Sequence, residues 1–277
     1  KRSVGTLGGG NHFIEVDVDE KNNKYLIIHT GSRNLGKQVA DYYQNLAIEL
    51  CSGKEEMYRE IDDIIKVYKQ EGKKDQLQEE IKSIKRKYNT LKPSLPNDLC
   101  YLTGKYREYY LNDMKICQEY AIMNREKIME QILWNFFDSH YMICEEDMFE
   151  TIHNYIDLDT NIVRKGAISA KLGERVLIPI NMRDGCIIAI GKGNDDYNQS
   201  APHGAGRLMS RTKAKATFNL DQFKESMKGI FTTSICNETI DELPMAYKPI
   251  EMILDNIKDT VVIERIIKPI YNFKASE

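Results

Sequence analysis

Hydrophobic periodicity changes twice along this chain, and those changes set what it can fold into. From Lys37 to about Glu150 apolar residues recur at helical spacing, while both flanks carry short alternating or continuous apolar runs of strand type. On the N-terminal side a glycine-rich turn, GTLGGGN, leads into HFIEVDV and then KYLIIHT, so His12 and His29 each stand at one end of an expected strand. Strand patterning returns after Ile152 in VLIPINM, CIIAIGKG and the C-terminal TVVIERIIKPIYNF. The expectation is an α+β fold in which residues 37–150 form a helical subdomain inserted between two β-rich halves of one domain.

Within the helical block, Ile61, Ile65 and Tyr68 form one stripe. Leu77, Ile81, Ile84, Tyr88 and Leu91 form another beyond a break at Glu71 and Gly72, which predicts an antiparallel hairpin at about 54–91. Its surface mixes both charge signs, as a solvated, salt-bridged arm does. The segment KPSLPND, 92–98, reads as a loop. A second helical stretch runs through Tyr106, Tyr110, Met114, Cys117, Ala121 and Met129 to Trp134, and its Met and aromatic stripe reads as core.

A chain of 277 residues, 42% hydrophobic, can bury one large core or two modest ones. The 39 basic and 42 acidic residues nearly cancel, so nucleic-acid binding must come from a local patch. Gln199 to Leu220 is such a patch, with Arg207, Arg211, Lys213 and Lys215 and no Asp or Glu. The six cysteines form no CxxC pair, which reads as reduced thiols in a cytoplasmic protein. No apolar run reaches the roughly 18 residues of a membrane span, and no signal peptide is evident. The chain opens at Lys1 rather than Met, from which an N-terminally incomplete domain is expected.

The chemistry-bearing segment is SAPHGAGRLMSR, 200–211. Gly204 and Gly206, lacking a Cβ, let backbone approach a phosphate, Arg207 and Arg211 offer forked guanidinium donors, and His203 stands among them as a candidate nucleophile. His12, His29, His153 and His203 all occupy turn-like contexts at segment ends, whereas His140 lies inside the helical block and is read as structural. No short ligand spacing links His12, His29 and His153. Imidazole with carboxylate or thiolate suits manganese, zinc or iron alike.

Five ordered motifs, GGGNHFIE, HTGSRNLG, His153-Asn154, RKGA at 164–167 and SAPHGAGRLMSR, closely resemble the RtcB family of GTP-dependent RNA-splicing ligases. The resemblance spans most of the chain outside the helical block. It implies an RtcB-like layered β-sheet core around a metal and nucleotide cleft. It also implies an activity: RNA carrying a 2′,3′-cyclic phosphate or 3′-phosphate is joined to a 5′-hydroxyl end through a covalent histidine-GMP intermediate, in tRNA splicing or RNA repair. By resemblance His203 attacks GTP, while His12 binds one manganese ion and His29 with His153 the other. Asn11 and Asn154 fall beside metals and phosphates, and Phe13, Glu15, Tyr247 and Lys274 contact guanine. Pro179, Asn181, Met182, Gly204, Ala205 and Gly206 complete the nucleotide-binding set, and Arg164, Lys165, Arg207 and Arg211 steer the RNA backbone.

Two departures accompany the resemblance. The family's further aspartate and cysteine ligands come from an upstream DxGC-type motif with no equivalent here, since Asp184-Gly-Cys186 falls in a downstream segment. The family's Pro-Gly-Ser-Met-like loop reads Pro179-Ile-Asn181-Met182, with a bulkier residue in place of glycine. The partners implied are GTP and RNA with broken or spliced ends, with room for a protein activator; no membrane is implied, and nothing speaks to oligomeric state. The rival readings are a metal-dependent phosphohydrolase using the same histidines and an inactive, ligase-derived binding module.

Overall fold

The computed structural model describes residues 3–72, 74–136 and 148–274. Two compact units divide the chain: Ser32–Ala121 forms one, and Lys1–Gly31 with Ile122–Glu277 forms the other.

The larger unit is built on a sheet ordered β2-β1-β9-β6-β5, made of β2 (Lys24–His29), β1 (Phe13–Val18), β9 (Val261–Lys274), β6 (Gly185–Gly191) and β5 (Arg175–Asn181), with β8 (Phe231–Thr232) on β9. The long strand β9 is central, antiparallel to β1 on one side and β6 on the other. Pro269 has no N–H to give a ladder; the register with β1 shifts there, between Val16 and Asp17, which absorbs the missing donor as a bulge. The apolar run CIIAIG is buried almost throughout β6: its Ile187 and Ala189 join Ile178, Ile257 and Val261 in one core cluster, and its Cys186 and Ile188 pack with Ile27 and Ile267. A second cluster gathers Phe223, Met227, Ile240, Leu243 and Ala246 around α5 (Arg211–Thr217) and α6 (Leu220–Ser226).

Strand β1 inverts the usual consequence of alternation. FIEVDV alternates apolar and polar, yet its acidic side chains are the buried ones, Glu15 at 2% and Asp17 at 0% exposure, while Ile14 and Val16 are half-buried. A three-stranded sheet, β3 (His153–Asp157), β4 (Ile162–Ser169) and β7 (Ser200–Pro202), completes the strand framework.

The smaller unit is helical. It contains α1 (Arg33–Cys51), α2 (Glu55–Glu71), α3 (Lys74–Lys87) and the first half of α4 (Gly104–Phe136). Helix α2 stops at Gly72, which takes the left-handed conformation that glycine adopts without cost. Met57 and Ile61 then meet Ile84, and Tyr88 donates to Glu60, so early α2 faces late α3 in an antiparallel pair. The stripe on α4 is only partly core: Cys117 and Ala121 are buried, but Trp134 is 71% exposed. The helical unit ends at Ala121 rather than near 150 because later α4 side chains serve the other unit. There Asn124 accepts from the backbone N–H groups of Gly5 and Thr6, and Arg125 donates to the Thr30 carbonyl.

Candidate active site

The β1–β2 hairpin pairs Phe13 with His29, which sets His12, one residue before β1, beside His29 with ring centroids 6.1 Å apart. The three-stranded sheet supplies the other two imidazoles. His153 opens β3, and His203 follows β7, its backbone N–H directed at the Gly166 carbonyl. Asn154 takes φ 57° at a bulge in β3 and accepts from the Gly166 N–H at 2.8 Å, so β3 and β4 are pinned together where His153 projects. Ring centroids lie 5.4 Å apart for His29 and His153 and 5.0 Å apart for His153 and His203. Four histidines scattered over the sequence thus form one contiguous row. His140 lies outside the described residues.

These imidazoles are held neutral where their titration is shifted. Burial, with the charges of His153 and His12 adding, pushes the His29 pKa down to about 3. Burial and the neighbouring His203 also lower that of His153, against a smaller pull from Asn154. His153 Nδ1 is buried with no hydrogen-bond partner. Unprotonated imidazoles, one with an orphaned nitrogen, suit a divalent transition ion, so the residues present fit the metal that the motifs imply.

Beside the row opens a cavity lined by Asn11, Phe13, Glu15, His29, Pro179, Asn181, Met182, His203, Gly204, Ala205, Gly206, Arg207, Arg211, Tyr247 and Lys274, among others. His12, His153, Asn154, Arg164 and Lys165 are not among its lining residues. A Cβ on Gly204 would stand 3.0 Å from the Pro179 carbonyl oxygen, which itself accepts from the Ala205 N–H, so the loop after β7 lies tight against β5. Ile180, the bulky residue of the Pro-Ile-Asn-Met segment, is 3% exposed and belongs to the core cluster. Asn181 accepts from the Arg183 and Asp184 N–H groups and donates to Asp184, closing the β5–β6 turn.

Two acidic groups organise the cavity. Glu242, buried on a short 3-10 turn, accepts from Lys274 Nζ, from the Tyr247 hydroxyl at 2.5 Å and from Arg207 at 3.2 Å. Burial would raise its pKa, but the Lys274 ammonium and these donors bring it below the usual carboxylate range. Tyr247, whose ring carries the Arg207 guanidinium 5.1 Å from its centroid, has its phenol pKa raised by burial and by Glu242. Glu15, which also lines the cavity, meets Asp17 and Cys186, with ligand atoms all within 4.8 Å of one another and every residue buried. This trio can hold a metal ion. As carboxylates Glu15 and Asp17 cannot bond each other, and Glu15 Oε1 and both Asp17 oxygens have no partner; a proton between them supplies one. Burial pushes Asp17 up to about 6 and, with Asp17's charge beside it, Glu15 well above the ordinary range. Burial likewise raises the Cys186 thiol.

Arg164 requires a correction. Rather than a surface group awaiting RNA, it is 2% exposed, and its guanidinium is taken up by Asp157, Ser200, Tyr155 and the Asn198 and Gln199 carbonyls. Only Lys165 of that pair is exposed. Arg207 is also engaged, with Glu242, Tyr247 and the Met209 and Asp241 carbonyls, while Arg211 is 46% exposed in its side chain and stands 3.7 Å from both Asp241 and Glu242. Sequence reasoning missed Glu242, Asp17 and Asn272, the last of which lines the cavity and donates to Glu15. The one signal for Glu242 was an acidic pair, Asp241-Glu242, in the otherwise apolar run before AYKPI.

Fold and site together define an α+β protein whose strands assemble a histidine row beside a charged cavity. The family model described as tRNA-splicing ligase RtcB matches residues 1–275, and the chain belongs to the RtcB family. It is 30% identical over 274 residues to the RNA-splicing ligase RtcB of Escherichia coli strain K12, covering 94% of this chain and 58% of the relative. It is 28% identical over 296 residues to the tRNA-splicing ligase RtcB of Aeropyrum pernix, covering 90% of this chain and 54% of the relative. The chain thus spans little more than half the length of these relatives. No helix among the described residues is long and apolar enough to cross a membrane.

Proposed function

We propose that this protein acts in the cytoplasm as an RNA ligase of tRNA splicing or RNA repair, joining 2′,3′-cyclic phosphate or 3′-phosphate ends to 5′-hydroxyl ends through GMP carried on His203. The observation that carries the reading is the convergence of His12, His29, His153 and His203 beside one cavity, from four separate segments. The names of the relatives, RNA-splicing and tRNA-splicing ligases, support the reaction class.

In this reading an unprotonated nitrogen of His203 attacks the α-phosphorus of GTP, a P–N bond forms and pyrophosphate leaves with the electron pair of the broken P–O bond. The Gly204–Gly206 loop lets backbone approach the phosphates, and Arg207 and Arg211 bring positive charge to that side. Phe13, Glu15, Tyr247 and Lys274 receive guanine, with Glu15 accepting from its N–H groups and Lys274 donating to its carbonyl oxygen. Pro179, Asn181, Met182 and Ala205 form the wall against which the nucleotide lies, and Asn11 lines the same cavity. His12 would hold one manganese ion, and His29 with His153 a second. Bound there, manganese offsets phosphate charge. Keeping His29 and His153 neutral is this chain's own contribution to that affinity. Asn154 fixes the bulge that aims His153, and Lys165 and Arg211 are exposed charges for the RNA backbone.

Incubation with labelled GTP and manganese tests the reading. Covalent label, followed by joining of RNA bearing a 2′,3′-cyclic phosphate and a 5′-hydroxyl, is the expected result. Release of free phosphate without label would identify a phosphohydrolase, and neither product a binding module.

A further inference from the structure

We infer that Glu242 is the positioning residue of this cleft: one buried carboxylate holds Lys274, Tyr247 and Arg207 together and so sets how tightly and how selectively a nucleotide is taken. The inference rests on the reading of the cavity as a guanylate site.

The mount is rigid. Glu242 ends a 3-10 turn, Ile240–Glu242, whose Ile240 and following Leu243 are sunk in the second core cluster at 7% and 0% exposure. Its two oxygens divide the work. Oε2 accepts from both Lys274 Nζ and the Tyr247 hydroxyl, and Oε1 accepts from Arg207. Each recipient is fixed a second time by backbone. Lys274 closes β9 with its N–H given to Ser234 and its carbonyl accepting from the same hydroxyl, and Arg207 bridges to Tyr247 across the loop. The tips of all three converge on Glu242, which is the side-chain partner holding Lys274 and Tyr247, while the Arg207 guanidinium is held by the Met209 and Asp241 carbonyls as well.

Charge makes the arrangement obligatory rather than incidental. Lys274 is 8% exposed, and a buried ammonium without a counter-charge is expensive. Glu242 is the carboxylate that meets its Nζ directly, and at 3% exposure it is as deeply buried as the ammonium it faces. With that charge removed, the Lys274 tip has reason to leave its place, and the Tyr247 hydroxyl loses the acceptor that fixes its ring. Both are base-facing groups in the proposed site. Glu242 itself acts through them, which makes it a positioning residue rather than a catalytic one.

Two measurements test this on Glu242→Gln, which keeps the side chain's shape and removes its charge. In the first, GTP dependence of covalent labelling should shift by about tenfold or more in half-saturating GTP, as loss of charged hydrogen bonds produces. The maximal labelling rate should change far less, discrimination against ATP should weaken, and manganese affinity should be unchanged. Glu242→Asp, which keeps the charge, should fall between the two, and it replaces Gln in both measurements if the Gln variant does not fold. In the second, no nucleotide is present: acylation of Lys274 by an amine-reactive ester, read by peptide mass spectrometry, should change several-fold in Glu242→Gln. Wild-type GTP dependence and base discrimination in a folded, labelling variant would overturn the inference, as would unchanged Lys274 acylation. A wild-type protein that takes no label at all would sink the ligase reading alone, and Lys274 acylation would then decide the role of Glu242 by itself.

Discussion

Replacing Asp17 by Asn converts a buried carboxyl into a neutral group of the same shape, and its effect on stability must depend on pH in a defined direction. Asp17 is fully buried, and nothing but a proton shared with Glu15 meets its oxygens. Burial raises its pKa from 3.8 to about 6, so the folded state holds this proton more tightly than the unfolded chain does. The fold therefore keeps its full advantage from Asp17 only below the ordinary carboxyl pKa and loses it as pH rises through about 4 to about 6. A shift of roughly 2 units corresponds to about 3 kcal/mol. Asp17→Asn removes this titration and also the Asp17 charge that raises Glu15, so the stability of the variant minus that of the wild type should grow by about 3 kcal/mol or more as pH rises from 4. Urea unfolding at a series of pH values, with a chelator present so that no cation occupies the Glu15, Asp17 and Cys186 trio, measures that difference. A difference that is flat with pH, or that shrinks as pH rises, would refute the argument that Asp17 is buried at the cost of its charge.

Two further outcomes follow from the same geometry. Arg164→Ala should cost about 3 kcal/mol in urea unfolding, the low end for breaking a buried ion pair, because Lys171 remains 3.0 Å from Asp157; a variant as stable as wild type would restore Arg164 as a candidate RNA contact. GTP binding should release a proton from Glu15, since accepting guanine N–H groups favours the carboxylate, whereas burial beside Asp17 favours the protonated form. Affinity should then rise with pH, and binding heats should differ between buffers of different ionisation enthalpy; equal heats in all buffers would count against it.

How much of this was legible in the sequence differs from element to element. The helical pair was readable because Ile61, Ile65, Ile81 and Ile84 repeat at helical spacing and Gly72 interrupts them, all within one local stretch. The meeting of His12 with His29 was half readable: one stands just before the first strand of a hairpin and the other ends the second, and the register does the rest. His153 and His203 are brought in by pairings between β3, β4 and β7, whose partners are separated by up to dozens of residues, and no periodicity encodes such pairings. Strand β1 shows the opposite limit, because alternation announces a strand but not which face turns inward. On the inward side Glu15 meets the cavity and Asn272, and Asp17 meets Glu15 and Cys186. Arg164 misled for a similar reason, since a basic residue beside Lys165 looks like a surface pair until the Asp157 carboxylate is found behind it.

The measurement that bears most directly on the whole account is the position of the nucleotide after exposure to GTP and manganese. Intact mass followed by peptide mapping should find one GMP, on the peptide that carries His203 and on that histidine, with His203→Ala folded and unlabelled. GMP mapped to a lysine, or undiminished label in the His203→Ala variant, would contradict the assignment of this histidine row as the site of nucleotidyl transfer.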